Sequence, residues 1–413
     1  MNTPSNNMPE RDDMAYPEIR QIEMTPVTIG HETMFLLSDP LGISQKTVAV
    51  TAKTLYLISL FNGRNSVKDI QVKYNRKFGE LIFTEKIEDI IFELDTALML
   101  NSRKFRGYRE FLVQEFKNNP VRSAQFAGDD YPENPEELRS MLDETFSKLP
   151  PDTCKAKPLG IISPHIDFDR GKVTYAHAYR QLKKSDAEIF VVFATCHREM
   201  KNFIALTDKT YSTPLGKLET HKEIIGELQK QSDTNWFEDD FFHKTEHTIE
   251  YQAVMLRYIF PEKRIRIVPI LVNSLDDCGI DGKSPLDNSQ VEEFITVFTE
   301  LLKKQKQKAA FIAGVDFAHV GPFFGDKLAP TQLELKKLEH REKESMKFLE
   351  EADADGFFND VVREQAKRRV CGLSPIYLML KVMNAKRGKI LDYEICSDKG
   401  RTNNVGIGAM SFY

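Results

Sequence analysis

From residue 134 to the C-terminus, short runs rich in Ile and Val alternate with longer stretches that have an amphipathic helical pattern. The strand-type runs contain few polar residues, which is typical of a sheet buried on both faces. This alternation favours an α/β fold, and we predict a mixed, largely parallel sheet sandwiched by helices. The predicted strands are 159–163, 189–194, 203–207, 265–272, 310–315, 390–395 and 405–413. The predicted helices are 135–148, 172–183, 221–230, 246–259, 290–304, 331–351 and 375–384.

The first part of the chain has a different pattern, and we predict a small α+β domain over 23–117. Two strands, 26–29 and 34–37, bracket a Gly30-His31 turn and form a hairpin. Three helices follow, over 49–60, over 66–77 with Ser66 as N-cap, and from Thr84 with Ile87, Ile90, Ile91, Leu94 and Leu98 on one stripe. We predict a disordered lead-in over 1–22 and a larger domain over 118–413.

A hairpin followed by three helices is a winged-helix-like plan, and it resembles the small PqqD-like domains that grip peptides in modification systems. DNA binding is the other common use of such folds. The third predicted helix is acidic, however, and phosphate repels an acidic helix. Its carboxylates are Glu85, Glu88, Asp89, Glu93 and Asp95. The sequence therefore favours a peptide or protein partner, with a packing or dimerisation module as the alternative.

The charge and the cysteines of the chain exclude several functions. The formal net charge is -5, whereas nucleic-acid binding needs a concentrated basic face. No apolar run approaches the roughly 18–20 residues that a membrane span needs. The N-terminus shows no secretory signal, and the 5 cysteines form no CxxC pair. We therefore predict a cytoplasmic protein with reduced thiols, no nucleic-acid partner and no membrane segment.

Three predicted strands end in residues that bind metal or move protons. His165 and His197 each follow one strand, and Asp316 and His319 both follow another. In open α/β sheets, functional sites collect beyond the carboxyl ends of the strands. The sequence therefore predicts one site, built at one edge of one sheet.

Cys371 is a candidate third ligand beside His165 and His197. It lies just before the predicted helix 375–384, and a thiol near a helix N-terminus or a metal loses its proton more easily. Two neutral imidazoles and one anionic ligand hold an ion and leave positions open for water or substrate. From the residues alone the alternative stays open that both His are structural and that Cys371 is a small buried hydrophobe.

A further cluster, Glu246-His247-Thr248-Ile249-Glu250, opens the predicted helix 246–259. Glu246 and Glu250 are four residues apart and would share a helix face. One interpretation places Glu246 or His247 in the pocket, in contact with substrate or with a ligand. The alternative is that carboxylates at a helix start only complement the helix dipole.

Eight segments of the second predicted domain occur in the order that is typical of the Memo family, also called AmmeMemoRadiSam system protein B. These are 121–132, 163–165, 175–179, 211–216, 246–250, 268–272, 316–319 and 371–376. They include Ser163-Pro164-His165, Asp316-Phe317-Ala318-His319 and Cys371-Gly372-Leu373-Ser374-Pro375. The chain resembles that family over about 118–413.

The resemblance implies a fold similar to class III extradiol dioxygenases, which bind non-haem iron through two His and a carboxylate. The Memo family looks like a variant with two His and a Cys, implicated in iron or copper binding. The implied metal ligands are His165, His197 and Cys371. The implied pocket residues are Asp316, His319 as acid–base residue, and Glu246 and His247 as outer contacts. Gln252 stands where the family often has a His, so the family's substrate is not carried over.

We predict a metal-dependent oxidoreductase that uses Fe(II) or copper, in which His319 moves a proton. A thiolate ligand favours these softer ions over Mg²⁺ or Ca²⁺. Two alternatives stay open: a non-enzymatic metal- or peptide-binding protein, and a hydrolase in which Zn²⁺ activates water. The family's association with a radical S-adenosylmethionine protein implies a partner of that kind.

Overall fold

The computed structural model describes residues 13–29, 32–275, 278, 282–364 and 367–413. The chain divides into two compact units, Met1–Asn118 and Asn119–Tyr413. The division falls one residue after the end of the first predicted domain.

The first unit combines a three-stranded antiparallel sheet with four helices, counted over its described residues. The strands are β1 (Glu23–Ile29), β2 (Glu32–Ser38) and β3 (Val48–Thr51), in the order β1-β2-β3. The helices are α1 (Ala52–Ser59), α2 (Val67–Phe78), α3 (Thr84–Thr96) and α4 (Arg103–Asn118). Ser66 caps α2 as predicted, through a reciprocal capping box with Asp69.

Several boundaries in this unit differ from the prediction. Residues 49–51 belong to β3 instead of the first helix, because the β-branched run Val48–Thr51 pairs with β2. Leu98 lies beyond α3 at a positive φ of 57°, so it does not extend the apolar stripe of that helix. The helix α4 was not predicted, because its charged sequence buries only Phe105 and Phe116. The Gly30-His31 turn lies outside the described residues.

The predicted disordered lead-in, 1–22, falls partly outside the described residues. Its described part makes backbone bridges from Glu18 to Asn62 and from Ile19 to Leu100. A buried guanidinium, that of Arg20, pairs with Asp39 at 2.6 Å. The prediction is therefore wrong for residues 13–22, which pair with the rest of the unit and pack Ile19 and Ile22 against its core.

The second unit holds a large mixed sheet. Its strands are β4 (Val121–Arg122), β5 (Gly160–Ser163), β6 (Ile189–Thr195), β7 (Ile204–Leu206), β8 (Thr210–Thr213), β9 (Gly216–Thr220), β10 (Arg266–Val272), β11 (Ala309–Gly314), β12 (His319–Val320), β13 (Gly388–Ser397) and β14 (Asn404–Phe412). Its helices are α5 (Pro135–Ser147), α6 (Phe168–Leu182), α7 (Lys222–Gln231), α8 (Phe242–Thr245), α9 (Thr248–Ile259), α10 (Ser289–Lys303), α11 (Gln332–Glu350), α12 (Ala354–Val362) and α13 (Leu373–Met383).

The strand order is β12-β14-β5-β11-β6-β10-β9-β8-β4, with β13 beside β14 and β7 beside β10. The central strands β5, β11, β6, β10 and β9 run parallel, and antiparallel pairs such as β14–β5 and β8–β9 flank them. Side chains of β6 alternate between two cores. Ile189, Val191 and Phe193 face α7, α10 and α13, whereas Phe190, Val192 and Ala194 face α5, α6 and α9. The predicted helix-covered α/β sheet is confirmed.

The seven strands and seven helices predicted for this unit correspond to elements of the structure. The hairpin β8–β9 and the helices α8 and α12 were not predicted. The helix predicted to begin at Glu246 begins at Thr248, with His247 as its N-cap. Glu246 instead has an extended backbone, at φ -88° and ψ 129°. In the described part of the chain, no helix is long and apolar enough to cross a membrane.

Buried His243 makes the stability of the second unit depend on pH. Its Nε2–H donates to the carbonyl of Ala205 at 3.0 Å, and its Nδ1 accepts from the hydroxyl of Tyr211 at 2.8 Å. Burial lowers the pKa of His243 to about 3. Because an unfolded His has a pKa of about 6.5, protonation below that pH favours the unfolded state.

We therefore expect the free energy of unfolding to fall as the pH drops from about 6.5 towards 3, by up to about 1.4 kcal/mol per pH unit from this residue. In the His243→Gln variant the fall should be shallower by that amount. Urea unfolding followed by fluorescence of Trp236, the single and fully buried tryptophan, measures both slopes. Equal slopes of unfolding free energy against pH in wild type and His243→Gln would contradict this role of His243.

Candidate metal centre

Three adjacent parallel strands, β5, β11 and β6, end together at one edge of the sheet. Gly314 of β11 pairs with Ser163 of β5 and with Ala194 of β6. His165, Asp316 and His197 each come within two residues of the end of one of these strands. The parallel register therefore brings the three side chains to the same place, beyond the carboxyl ends of the strands.

His165 is buried and its orientation is fixed by a backbone carbonyl. Its Nδ1–H donates to the carbonyl of Gly314 at 3.0 Å, which leaves Nε2 with a free lone pair. This Nε2 lies 3.3 Å from the Sγ of Cys371. The hydrogen bond thus selects the tautomer that a metal ligand needs.

Cys371 reaches this edge because the next residue is glycine. The N–H of Gly372 donates to the carbonyl of Asp316 at 3.0 Å. A Cβ on Gly372 would lie 2.7 Å from that carbonyl oxygen and 2.8 Å from the Cβ of Val315. The Thr195 hydroxyl also donates to the carbonyl of Cys371, at 2.9 Å. The loop before α13 is therefore held directly against the ends of β6 and β11.

His197 and His247 share one buried carboxylate, that of Glu246. The Nδ1 of His197 lies 3.2 Å from Oε1 of Glu246, and the Nδ1 of His247 lies 3.1 Å from the same oxygen. The backbone N–H groups of both His donate to Glu246, at 2.9 and 3.0 Å. Burial favours a neutral Glu246, but the charge and hydrogen bonds of His197, followed by those of His247, hold its pKa well below the usual range. Burial favours a neutral His197, but Glu246 raises its pKa above the ordinary value. When the rings are neutral and donate Nδ1–H, each imidazole has Nε2 as its acceptor.

The three imidazole rings form a compact group. The rings of His197 and His247 stack at 5.2 Å with an angle of 8° between their planes. The ring of His165 stands edge-on to both, at 5.0 and 5.5 Å. The side chain of His197 is 34% exposed and that of His247 is 29% exposed, whereas His165 is buried. The group is therefore open to solvent on the side of His197 and His247.

The described residues include two groups whose donor atoms lie within 4.8 Å of one another. The first consists of His165, His197 and Cys371. It fits a transition-metal ion, since two imidazole nitrogens and a sulfur converge and both rings have the correct tautomer. The second consists of His197, Glu246 and His247, and the hydrogen bonds of Glu246 already join its members.

Asp316 holds the loop that carries His165. Its Oδ1 accepts the backbone N–H of His165 at 2.9 Å and that of Ile166 at 3.3 Å, and its Oδ2 lies 3.6 Å from Nε2 of His165. Burial raises the pKa of Asp316 to about 7, against the opposing effect of the two N–H groups. Burial likewise raises the pKa of the Cys371 thiol well above its ordinary value.

His319 belongs to neither group of donor atoms. Its Nδ1 faces two carbonyls, those of Phe317 and Arg369, at 3.0 Å each. Its backbone N–H donates to the carbonyl of Arg368 at 2.7 Å, so it is tied to the segment that leads to Cys371. Burial lowers the pKa of His319 to about 4, below the near-neutral value assumed from the sequence. At neutral pH its ring is neutral, and its Nε2 can accept a proton but has none to donate.

One residue that supports the site, Gln252, was not predicted from the sequence to do so. Gln252 donates to the carbonyl of Pro164 at 2.9 Å and accepts from the Tyr179 hydroxyl at 2.8 Å, which fixes the backbone just before His165. A Cβ at position 314 would lie 2.9 Å from the Gln252 side chain, so the observed position of Gln252 requires glycine there. Glu250 pairs with buried Arg122. Glu246 and Glu250 do not share a helix face, because Glu246 precedes the helix.

Comparisons with known proteins agree with this geometry. A family model described as Memo-like protein matches residues 122–412. A MEMO1 family protein of Aquifex aeolicus is 29% identical over 400 residues, covering 96% of this chain and 100% of that relative. A MEMO1 family protein of Methanosarcina barkeri is 27% identical over 291 residues, covering 70% of this chain and 97% of the relative. A protein memo-1 homolog of Caenorhabditis elegans is 27% identical over 307 residues, covering 70% and 82%.

The Aquifex alignment includes most of the first unit, whereas the Methanosarcina alignment has the length of the second unit. The site described above lies within the matched range 122–412. Since that match covers well over half of its residues, the chain belongs to the Memo-like protein family.

Proposed function

We propose that the chain is a redox metalloprotein that holds Fe(II) or copper through His165, His197 and Cys371. The observation that carries this proposal is the approach of Nε2 of His165 to Sγ of Cys371 at 3.3 Å, with a donor of His197 within 4.8 Å. The thiolate that would form there favours a soft or borderline ion. Such an ion would supply electron-transfer chemistry to a substrate or to O₂.

The residues around the ligands have separate tasks in this proposal. Glu246 and the Gly314 carbonyl fix the tautomers of His197 and His165. Neutral His319 accepts a proton from substrate, and Asp316, with a pKa of about 7, holds or releases one close to His165. Substrate enters beside the partly exposed His197 and His247. The cytoplasm, which keeps thiols such as Cys371 reduced, is the compartment that we propose.

Metal content tests this function. In protein purified without air, we expect one iron or copper ion per wild-type chain and at least about tenfold less in Cys371→Ala and in His165→Ala, because each variant loses a ligand. Cys154→Ala is the control, since Cys154 contacts Tyr413 instead of the site. Elemental analysis measures the iron and copper content of the folded wild type and of the three variants.

Equal iron and copper contents in wild type and in both ligand variants would contradict the redox proposal. Stoichiometric Zn²⁺ that Cys371→Ala loses would instead support the hydrolase, in which the ion activates water. Metal-loaded protein that consumes no O₂ with catechols or thiols would support a binding role.

Metal loading should also release a proton. The Cys371 thiol donates to the carbonyl of Asp316 at 3.4 Å, and burial keeps its pKa well above the ordinary value, so it is protonated before the ion arrives. Because the ligand must be a thiolate, we expect at least about one proton released per ion and an affinity that rises with pH. His197 adds to this number wherever it is protonated, since Glu246 raises its pKa against the effect of burial. Calorimetric titrations with Zn²⁺ in buffers of different ionisation enthalpy measure this number. A value near zero would exclude Cys371 as a ligand.

For the first unit we propose the recruitment of a peptide or protein partner, for which a radical S-adenosylmethionine protein is the first candidate. A groove of about 630 Å³ lies between Lys46–Ala49, which leads into β3, and Phe92, Glu93 and Thr96 of α3. Within the described residues, β3 pairs with β2 alone, which leaves its outer edge for an added strand. Phe92 is 65% exposed, and Glu93 lines the groove with it. Glu88 and Asp89 line a neighbouring cavity that Phe92 also borders, so a basic, partly apolar segment fits.

Replacement of Phe92 by Asp should abolish capture of that partner, because it removes the exposed apolar anchor and adds negative charge. Phe111→Asp is the matched control, since Phe111 is 61% exposed on α4, away from the groove. Pulldown of the purified candidate partner by wild type and both variants measures the effect. Equal loss in both variants, or in neither, would contradict the groove as the binding site. Salt-resistant binding of duplex DNA would overturn the choice of a protein partner.

A further inference from the structure

The segment that opens the second unit carries a motif, Arg122 with Ala127–Pro132, to which the proposed metal centre assigns no task. Arg122 is 1% exposed, so its guanidinium is fully buried. Burial of a charge is expensive unless each donor is satisfied, and an ion pair in this position contributes little net stability compared with apolar side chains. A buried Arg is therefore evidence of a specific geometric task.

The guanidinium of Arg122 binds both sides of the break between α8 and α9. Its Nε donates to the carbonyl of His243 at 2.9 Å, and its Nη2 donates to the carbonyl of Glu246 at 3.0 Å. Its Nη1 pairs with the buried carboxylate of Glu250 in the first turn of α9. The three donors thus fix one carbonyl in α8, one carbonyl in the break itself and one carboxylate in α9.

Glu250 holds this arrangement from the other side. It accepts the backbone N–H groups of Gln125 and Phe126 at 3.0 Å each and is also bonded by the Tyr131 hydroxyl. Phe126 then stands edge-on to the ring of His247 at 5.7 Å. Residues of the segment 122–131 therefore surround one carboxylate, and Phe126 of this segment lies directly beside the imidazole group.

Glu246 needs such support because it lies in neither helix. Its backbone is extended, and its side chain receives the Nδ1 groups of His197 and His247. A carboxylate on a break between two helices has no helical turn to fix its direction. Arg122 supplies that constraint through the carbonyl of the same residue.

We infer that Arg122, with Glu250 as its counter-ion, is a positioning residue that directs Glu246 and thereby fixes the tautomer and orientation of His197. This inference rests on the proposed function, since it assigns His197 as a ligand. Arg122 touches no donor atom of the centre, and its effect passes through the backbone of Glu246.

Co(II) added to the full-length, metal-free chain is the probe for this inference. Arg122→Lys keeps the positive charge beside Glu250 but cannot donate to two carbonyls and a carboxylate in one plane. We expect a 10–100-fold weaker Co(II) affinity, the range typical of lost support around a metal ligand. The thiolate-to-Co(II) absorption of Cys371 should persist, while the ligand-field bands should change because His197 is no longer held.

Two comparisons separate positioning from general stability. Glu246→Gln, which alters the acceptor itself, should change the Co(II) spectrum in the same way, and the double variant should lose little more than either single one. Arg20→Lys is the matched control, since Arg20 and Asp39 form a buried pair in the first unit, with side chains 7% and 0% exposed. This control should bind Co(II) like wild type. If Arg122→Lys does not fold, Glu250→Gln tests the same link from its other side.

Wild-type affinity and an unchanged spectrum in Arg122→Lys would overturn the inference and leave the metal centre standing. Two Co(II) ions per wild-type chain, of which Glu246→Gln loses one, would also overturn it, because Glu246 would then be a ligand. Failure of the wild type to bind Co(II) would overturn the proposed function itself.

Discussion

The parallel register of β5, β11 and β6 is the constraint on which the rest of the site depends. Adjacent parallel strands have their carboxyl ends on one side, so the loops that follow them meet without any long excursion of the chain. His165, Asp316 and His197 are neighbours for this reason. Cys371 joins them from the start of a helix, and the absence of a side chain at Gly372 lets its loop touch the strand ends.

Buried carboxylates then orient the imidazoles of His197 and His247 and hold the loop that carries His165. In the described part of the second unit, four carboxylate residues are at most 5% exposed: Glu246, Glu250, Asp316 and Glu342. Glu246 receives two imidazoles, Asp316 receives two backbone N–H groups, and the other two each pair with a buried Arg. Because buried ion pairs add little net stability, their value lies in orientation. Glu342 also has an orienting contact, since it accepts the backbone N–H of Ala318, next to His319, at 2.9 Å.

Much of this fold could be predicted, because its central strands and amphipathic helices have strong hydrophobic patterns. The elements that escaped prediction are those with weak patterns. The helix α4 is dominated by charges and buries only Phe105 and Phe116, and the strands of the hairpin β8–β9 are short, partly exposed and separated by a tight turn. The start of α9 was misplaced by two residues because Glu246 and His247 favour a helix start as well as a break before one.

The sequence by itself determined the strands, the identity of the candidate ligands and the family, since these follow from hydrophobic periodicity and from ordered motifs. Tertiary structure alone decided which nitrogen of each imidazole faces the site, which of Glu246 and Glu250 supports it, and that His319 lies outside the ligand group. The physical reason is distance along the chain. The contacts of His197 with Glu246 and of His165 with Cys371 join residues 49 and 206 positions apart, and local pattern carries no information about them.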